Sequence, residues 1–226
     1  MGARLAAVVP VKNIVDAKQR LSPALSPEER RGLFSAMLRD VLGTLCAVSE
    51  LERVCLVTRD PQAQELAASV GAEVLEEPAN RGHSEAVTFG ADAMVRAGAE
   101  GIITMPADIP LVQVHEVQAV IQAHGQAPAI TIAPSGDELG SNAVACSPPD
   151  VLRFGFGDNS FFPHIEKARA AGIEPAIVRA AGIALDVDTP DDLARFAARP
   201  SETLAYAYLV KSGILERLNN APLGKT

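Results

Sequence analysis

The stretch Gly101-Ile102-Ile103-Thr104-Met105-Pro106-Ala107-Asp108-Ile109-Pro110 constrains the fold more than any other. A short apolar run rich in β-branched side chains reads as a buried strand, and the Pro-x-Asp-x-Pro that closes it brings a carboxylate out at the strand's C-terminal end. Ligands of open α/β sheets collect outside the carboxyl ends of the strands, where a carboxylate held between prolines suits a hard divalent cation. A plain turn with Asp as turn former is the competing reading of this stretch taken alone.

The rest of the chain supplies partners for such a strand. Leu5–Val9 is apolar without alternation, as a central parallel strand covered on both faces must be. Ser26-Pro27-Glu28-Glu29 starts a helix, with Ser as N-cap, Pro at N1 and acids in the first turn, and Leu33, Met37, Val41 and Leu45 carry it to about Val48. Arg53–Thr58, Ala72–Leu75 and Ala176–Val178 read as strands; Pro61–Val70, Gly82–Ala97, Val114–His124 and Ser160–Ala171 read as helices. Ala129–Ala133 and Asn142–Cys146 are strands around the polar turn Ser135–Ser141, and Leu185–Leu193 reads as strand, turn and helix start with Thr189 as N-cap. This alternation predicts an α/β fold: three layers, a mostly parallel twisted sheet with helices on both faces, plus a small antiparallel excursion. Residues 1–199 form the domain and 200–226 a tail with one helix.

With 226 residues and 48% hydrophobic content the chain has ample material for one core. Its net charge of −8 argues against a nucleic-acid surface and makes any cationic cluster informative. Cys46, Cys55 and Cys146 lack metal-ligand spacing, as in a reduced, cytoplasmic protein, and no stretch approaches membrane-spanning length. No nucleic-acid or membrane partner is expected, and a homodimer through the C-terminal tail stays open.

Such a cationic cluster follows the first strand: the loop Pro10–Ser22 carries Lys12, Lys18 and Arg20. A second acidic site is Asp186-Val187-Asp188, whose carboxylates share one face if the backbone is extended. Asp108 and Asp188, with Asp186 as the alternative, suit Mg²⁺, which takes one or two carboxylates plus substrate phosphates. Lys12, Lys18 and Arg20 then neutralise phosphate charge in a nucleotidyl transfer. The plainer alternatives are a solvated basic loop and an acid that merely starts a helix. The loop lacks the Gly-x-x-x-x-Gly-Lys of a P-loop, and no Gly-x-Gly-x-x-Gly follows the first strand, so kinase and dehydrogenase readings lose support. Phe154-Gly155-Phe156-Gly157-Asp158-Asn159-Ser160 precedes a helix and offers an anion site at Gly157 and Ser160, or simply a Ser-capped helix. His83 and His164 read as ordinary polar positions.

Val9-Pro10-Val11-Lys12 with Ala17-Lys18-Gln19-Arg20-Leu21, Pro106-Ala107-Asp108-Ile109-Pro110-Leu111, Phe156-Gly157-Asp158-Asn159-Ser160 and Asp186-Val187-Asp188-Thr189-Pro190 together resemble the 2-phospho-L-lactate guanylyltransferases. The resemblance implies a single-domain fold similar to molybdenum-cofactor guanylyltransferases. It also implies transfer of GMP from GTP to 2-phospho-L-lactate, phosphoenolpyruvate or 3-phospho-D-glycerate during deazaflavin (coenzyme F420) biosynthesis. Position by position, it implies Asp108 and Asp188 as metal ligands and acceptor contacts from Ser141, Asn142, Gly157 and Ser160. Nucleotide contacts fall on Pro10, Val11, Lys12, Gly82, Ser84, Pro106 and Ala107. Two departures stand out: Ser141 where the family has Thr, and Gly82-His83-Ser84-Glu85-Ala86 where Gly-Leu-Asn-x-Ala is usual. A nucleotidyltransferase with another base or acceptor, such as a cytidylyltransferase, and a non-catalytic nucleotide-binding protein are the rival readings.

Overall fold

A computed structural model describes residues 4–79, 81–157 and 159–220. Seven strands form one sheet in the order β3-β2-β1-β4-β6-β5-β7. They are β1 (Leu5–Pro10), β2 (Leu51–Val57), β3 (Glu73–Leu75), β4 (Gly101–Thr104), β5 (Ala129–Pro134), β6 (Ser141–Ser147) and β7 (Ala176–Ile177). β1 is central and pairs in parallel with β2 and β4. β6 runs antiparallel to both β4 and β5, so the antiparallel hairpin is built into the sheet and not appended to it.

Helices α1 (Pro27–Cys46), α2 (Pro61–Ser69), α3 (His83–Arg96), α4 (Val114–Ala123), α5 (Phe161–Ala170), α6 (Pro190–Ala197), α7 (Leu204–Lys211) and α8 (Ile214–Asn220) cover the two faces unequally. Alternate residues of β1 divide between them: Leu5, Ala7 and Val9 pack with α1, α2, α4 and α6–α8, whereas Ala6 and Val8 pack with α3 and α5. Covering both faces is what the unalternating apolar strands require. α1 starts in a capping box between Ser26 and Glu29 and buries Leu33, Met37, Val41 and Leu45. On the other face α3 can approach β1 because Gly90 has no Cβ, which would stand 2.5 Å from Val8 Cγ1.

Three expectations are corrected. β4 stops at Thr104, short of Pro106, so Asp108 lies in the turn beyond the strand. Asp186–Asp188 is not a sheet strand; Val187 N–H donates to the Asp108 carbonyl at 2.9 Å, stitching the two acidic segments together. The tail forms two helices, divided at Gly213, whose φ of 73° ends the first. These helices bury Ala205, Leu209 and Ile214 in the α1 face of the core. Among the described residues no helix is long and apolar enough to cross a membrane.

Candidate active site

The strand order reverses at β1, between β2 and β4, and the loops leaving the C-terminal ends of β1 and β4 meet at that switch point. The loop after β1 is not a loose surface segment. Ile14, Leu21 and Leu25 are buried, and Ile14 N–H donates to Asp60 Oδ2 at 2.7 Å. Held this way, the loop turns Lys18 inward in a left-handed conformation (φ 58°, ψ 39°).

Lys18 is the cation of a compact cluster. Its ammonium donates to Asp108 Oδ2 and lies 3.3 Å from Asp188 Oδ1, while Arg20 Nη1 contacts Asp188 Oδ2 at 3.0 Å. The Lys18 side chain is 5% exposed, whereas that of Arg20 is 63% exposed. Burial works to lower the Lys18 pKa, but the charges of Asp108 and Asp188 and their hydrogen bonds outweigh it, leaving the ammonium held above its ordinary value. Asp108 Oδ1 is buried without a hydrogen-bond partner among the described residues. Asp186 is pushed upward by burial and by Asp108, against a hydrogen bond from Asn142 Nδ2 at 3.1 Å.

Two lobes of a cleft meet at Asp108, Pro106 and His83, which line both. The smaller, about 270 Å³, is lined by Pro10, Val11, Lys12, Lys18 and Ala107. The larger, about 820 Å³, holds Arg20, Ser141, Asn142, Gly157, Ser160, Asp186 and Asp188. The sequence-derived nucleotide residues thus fall mainly in one lobe and the acceptor residues in the other. Gly82 and Ser84 are the exceptions and line neither; Ser84 Oγ instead accepts from Phe156 N–H at 2.9 Å, tying the start of α3 to the glycine-containing loop. Asp158 of that loop lies outside the described residues.

The larger lobe has a buried floor. Ser141 N–H donates to Ser160 Oγ at 3.0 Å, so the Ser160 hydroxyl turns toward β6 and does not cap its own helix. His164 bridges Ser141 Oγ (Nδ1, 3.0 Å) and Gly155 N–H (Nε2, 3.2 Å), and burial pushes its pKa down to about 4. Sequence reasoning left His164 without a role, marked His83 as part of a departure from the family pattern that could alter nucleotide or acceptor contacts, and did not single out Phe156, Arg195 or Arg199; all of these except His164 line the larger lobe. One signal was readable: Ser160 and His164 are four residues apart and share a helix face.

The family model described as "Guanylyl transferase CofC like" matches residues 5–225. A phosphoenolpyruvate guanylyltransferase of Sphaerobacter thermophilus is 38% identical over 84% of this chain and 91% of its own length. A 2-phospho-L-lactate guanylyltransferase of Methanothermobacter thermautotrophicus is 36% identical over 91% and 89%. A solved structure from Desulfovibrio desulfuricans, described as a nucleotide-diphospho-sugar transferase, superposes with a TM-score of 0.75 at 19% identity, covering 96% of this chain and 98% of that one. At that identity it speaks for the fold alone. With matches across nearly the whole chain, this protein belongs to the CofC-like guanylyl transferase family.

Proposed function

We propose that this protein transfers GMP from GTP to a small three-carbon phospho-acid with release of pyrophosphate, in the manner its relatives' names describe. The observation that carries the reading is the two-lobed cleft with Asp108 on the shared ridge. One lobe offers the basic β1 loop for the nucleotide, and the other offers Ser141, Asn142, Gly157 and Ser160 for the acceptor. An acceptor phosphate is ionised at neutral pH, so no protein nucleophile is needed: its oxygen attacks the α-phosphorus in line and pyrophosphate departs. Catalysis is then positioning plus charge stabilisation. Lys18 supports Asp108 and Asp188, and Lys12 and Arg20 face the phosphates.

A divalent cation fits the carboxylates. Asp108 Oδ1 is buried and, among the described residues, unpartnered, and Asp186 and Asp188 add hard oxygen donors nearby. Mg²⁺ would be held by Asp108 and Asp188, with Asp186 the alternative, and completed by substrate phosphates. Bound there, the ion would neutralise charge on the triphosphate as pyrophosphate leaves. A cytoplasmic setting belongs to the same reading. So does a homodimer through the tail, for which Leu204 and Val210 remain on the outer surface, 44% and 55% exposed.

The test is product identity. With GTP, Mg²⁺ and phosphoenolpyruvate, 2-phospho-L-lactate or 3-phospho-D-glycerate in turn, phosphorus NMR should show pyrophosphate together with a new unsymmetrical diphosphate. Pyrophosphate from CTP with a polyol phosphate, and none from GTP, would favour the cytidylyltransferase reading.

A further inference from the structure

The floor of the acceptor lobe has a defined hydrogen-bond polarity. A backbone N–H can only donate, so Gly155 N–H fixes His164 Nε2 as an acceptor, and the neutral ring must carry its proton on Nδ1. Nδ1–H then donates to Ser141 Oγ, and Ser141 N–H donates to Ser160 Oγ. Each hydroxyl therefore already accepts a hydrogen bond. Neither has an acceptor for its own hydrogen among the described residues, and both residues line the larger lobe. The opposite tautomer would draw the Ser141 hydrogen onto Nδ1 and turn an oxygen lone pair toward the ligand.

We infer that His164 is a positioning residue that fixes Ser141 as a hydrogen-bond donor and so makes this corner of the acceptor lobe selective for an ionised oxygen, carboxylate or phosphate. The inference rests on the guanylyltransferase reading for the identity of the ligand, but the proton placement stands on geometry alone. The depressed basicity of His164 agrees with it, since the neutral ring persists across the physiological range. Donors already polarised by a neighbour's hydrogen bond are stronger toward an anion than isolated hydroxyls. His164 reaches Ser141 from the neighbouring helix α5.

Two measurements test this. In the unaltered protein, nitrogen-15 NMR of the imidazoles should show His164 protonated on Nδ1, the minor tautomer of a free histidine; an Nε2-protonated ring would overturn the proposal whatever any variant does. The second is a kinetic cycle of H164Q, S141A and the double variant. Gln keeps an acceptor for Gly155 N–H but has no donor where Nδ1 stood. H164Q should raise the acceptor KM roughly ten- to hundredfold, the range for a lost hydrogen bond to a charged group, with GTP affinity unchanged. The double variant should be no worse than S141A, because His164 acts through that hydroxyl. Additive losses, or a loss in GTP binding alone, would overturn the proposal. Repeating the cycle with the carboxamide of the phospho-acid separates the two sources of the anion: a vanished H164Q penalty assigns the corner to the carboxylate, a retained one to the phosphate. Failure of the unaltered chain to transfer GMP to any phospho-acid refutes the underlying reading and the ligand assignment with it. Transfer intact in H164Q at an unchanged acceptor KM refutes this inference only.

Discussion

Replacing Lys18 by Met removes the ammonium that lies between Asp108 and Asp188 and puts a side chain of similar reach in its place. Asp108 would then be left with neither oxygen paired among the described residues, since Oδ1 has no partner there to begin with. Breaking a buried ion pair from one side costs about 3 kcal/mol or more. For a chain of this length that is a fall in Tm of roughly 6–12 °C. Arg20→Ala is the internal control. It touches the same Asp188, but its side chain is 63% exposed and its pair should contribute less than about 0.5 kcal/mol. Urea and thermal unfolding at neutral pH, in low salt and again in 1 M NaCl, measure both, and the Lys18 effect should survive salt that erases the Arg20 effect. The Lys18 pKa is raised on folding, so its contribution is fully present below the ordinary lysine value of 10.5 and is lost only as pH climbs through the folded value. A Lys18→Met variant as stable as Arg20→Ala would mean that the cluster is not held together by this charge.

Asp108→Asn should lower pyrophosphate release at least a hundredfold and also cost stability, because Lys18 loses its main partner; Asp188→Asn, a half-exposed position, should lose turnover with a smaller change in unfolding midpoint. Gly182→Ala should destabilise by about 2 kcal/mol and raise the acceptor KM, since its Cβ would stand 2.2 Å from the Leu111 carbonyl and 2.3 Å from Glu116 Oε2 at the base of the segment that carries Asp186 and Asp188. Thermal unfolding and steady-state kinetics read the two effects. Asp40, which accepts from Leu204 and Ala205 N–H and so holds α7, is pushed up to about 6 by burial despite those bonds. The folded chain holds that proton more tightly than the unfolded one, so stability falls as pH rises from about 4 to about 6, by on the order of 1–2 kcal/mol once partial exposure is allowed for. Asp40→Asn should flatten that part of the urea-midpoint pH profile; an unchanged slope would show that Asp40 is not its source.

The acidic segments stood out in the sequence because they follow local rules, although neither lies on a strand as expected. Proline fixes where β4 must stop, and Asp186 and Asp188 both line the larger lobe even though no ladder forms there. The β1 loop was legible as basic but not as anchored. Its charges drew attention away from Ile14, Leu21 and Leu25, whose burial turns Lys18 inward. Phe156 and Arg195 were out of reach for a different reason, whereas His164 was marked only by its spacing from Ser160. Their significance depends on how α5, α6 and the loop before α5 fold over the sheet, and nothing in their own neighbourhoods encodes that long-range placement. Gly213 was a readable helix stop in the tail, and the second helix follows from it.

The proposed reaction is a direct displacement at the α-phosphorus across Asp108, with acceptor and nucleotide held together in the two lobes. The stereochemical course of the reaction tests it most directly. With a single diastereomer of GTP carrying sulfur on the α-phosphate, one in-line attack by the acceptor predicts inversion at phosphorus in the product. Retention would require a covalent guanylyl-protein intermediate and two displacements, and would contradict the mechanism.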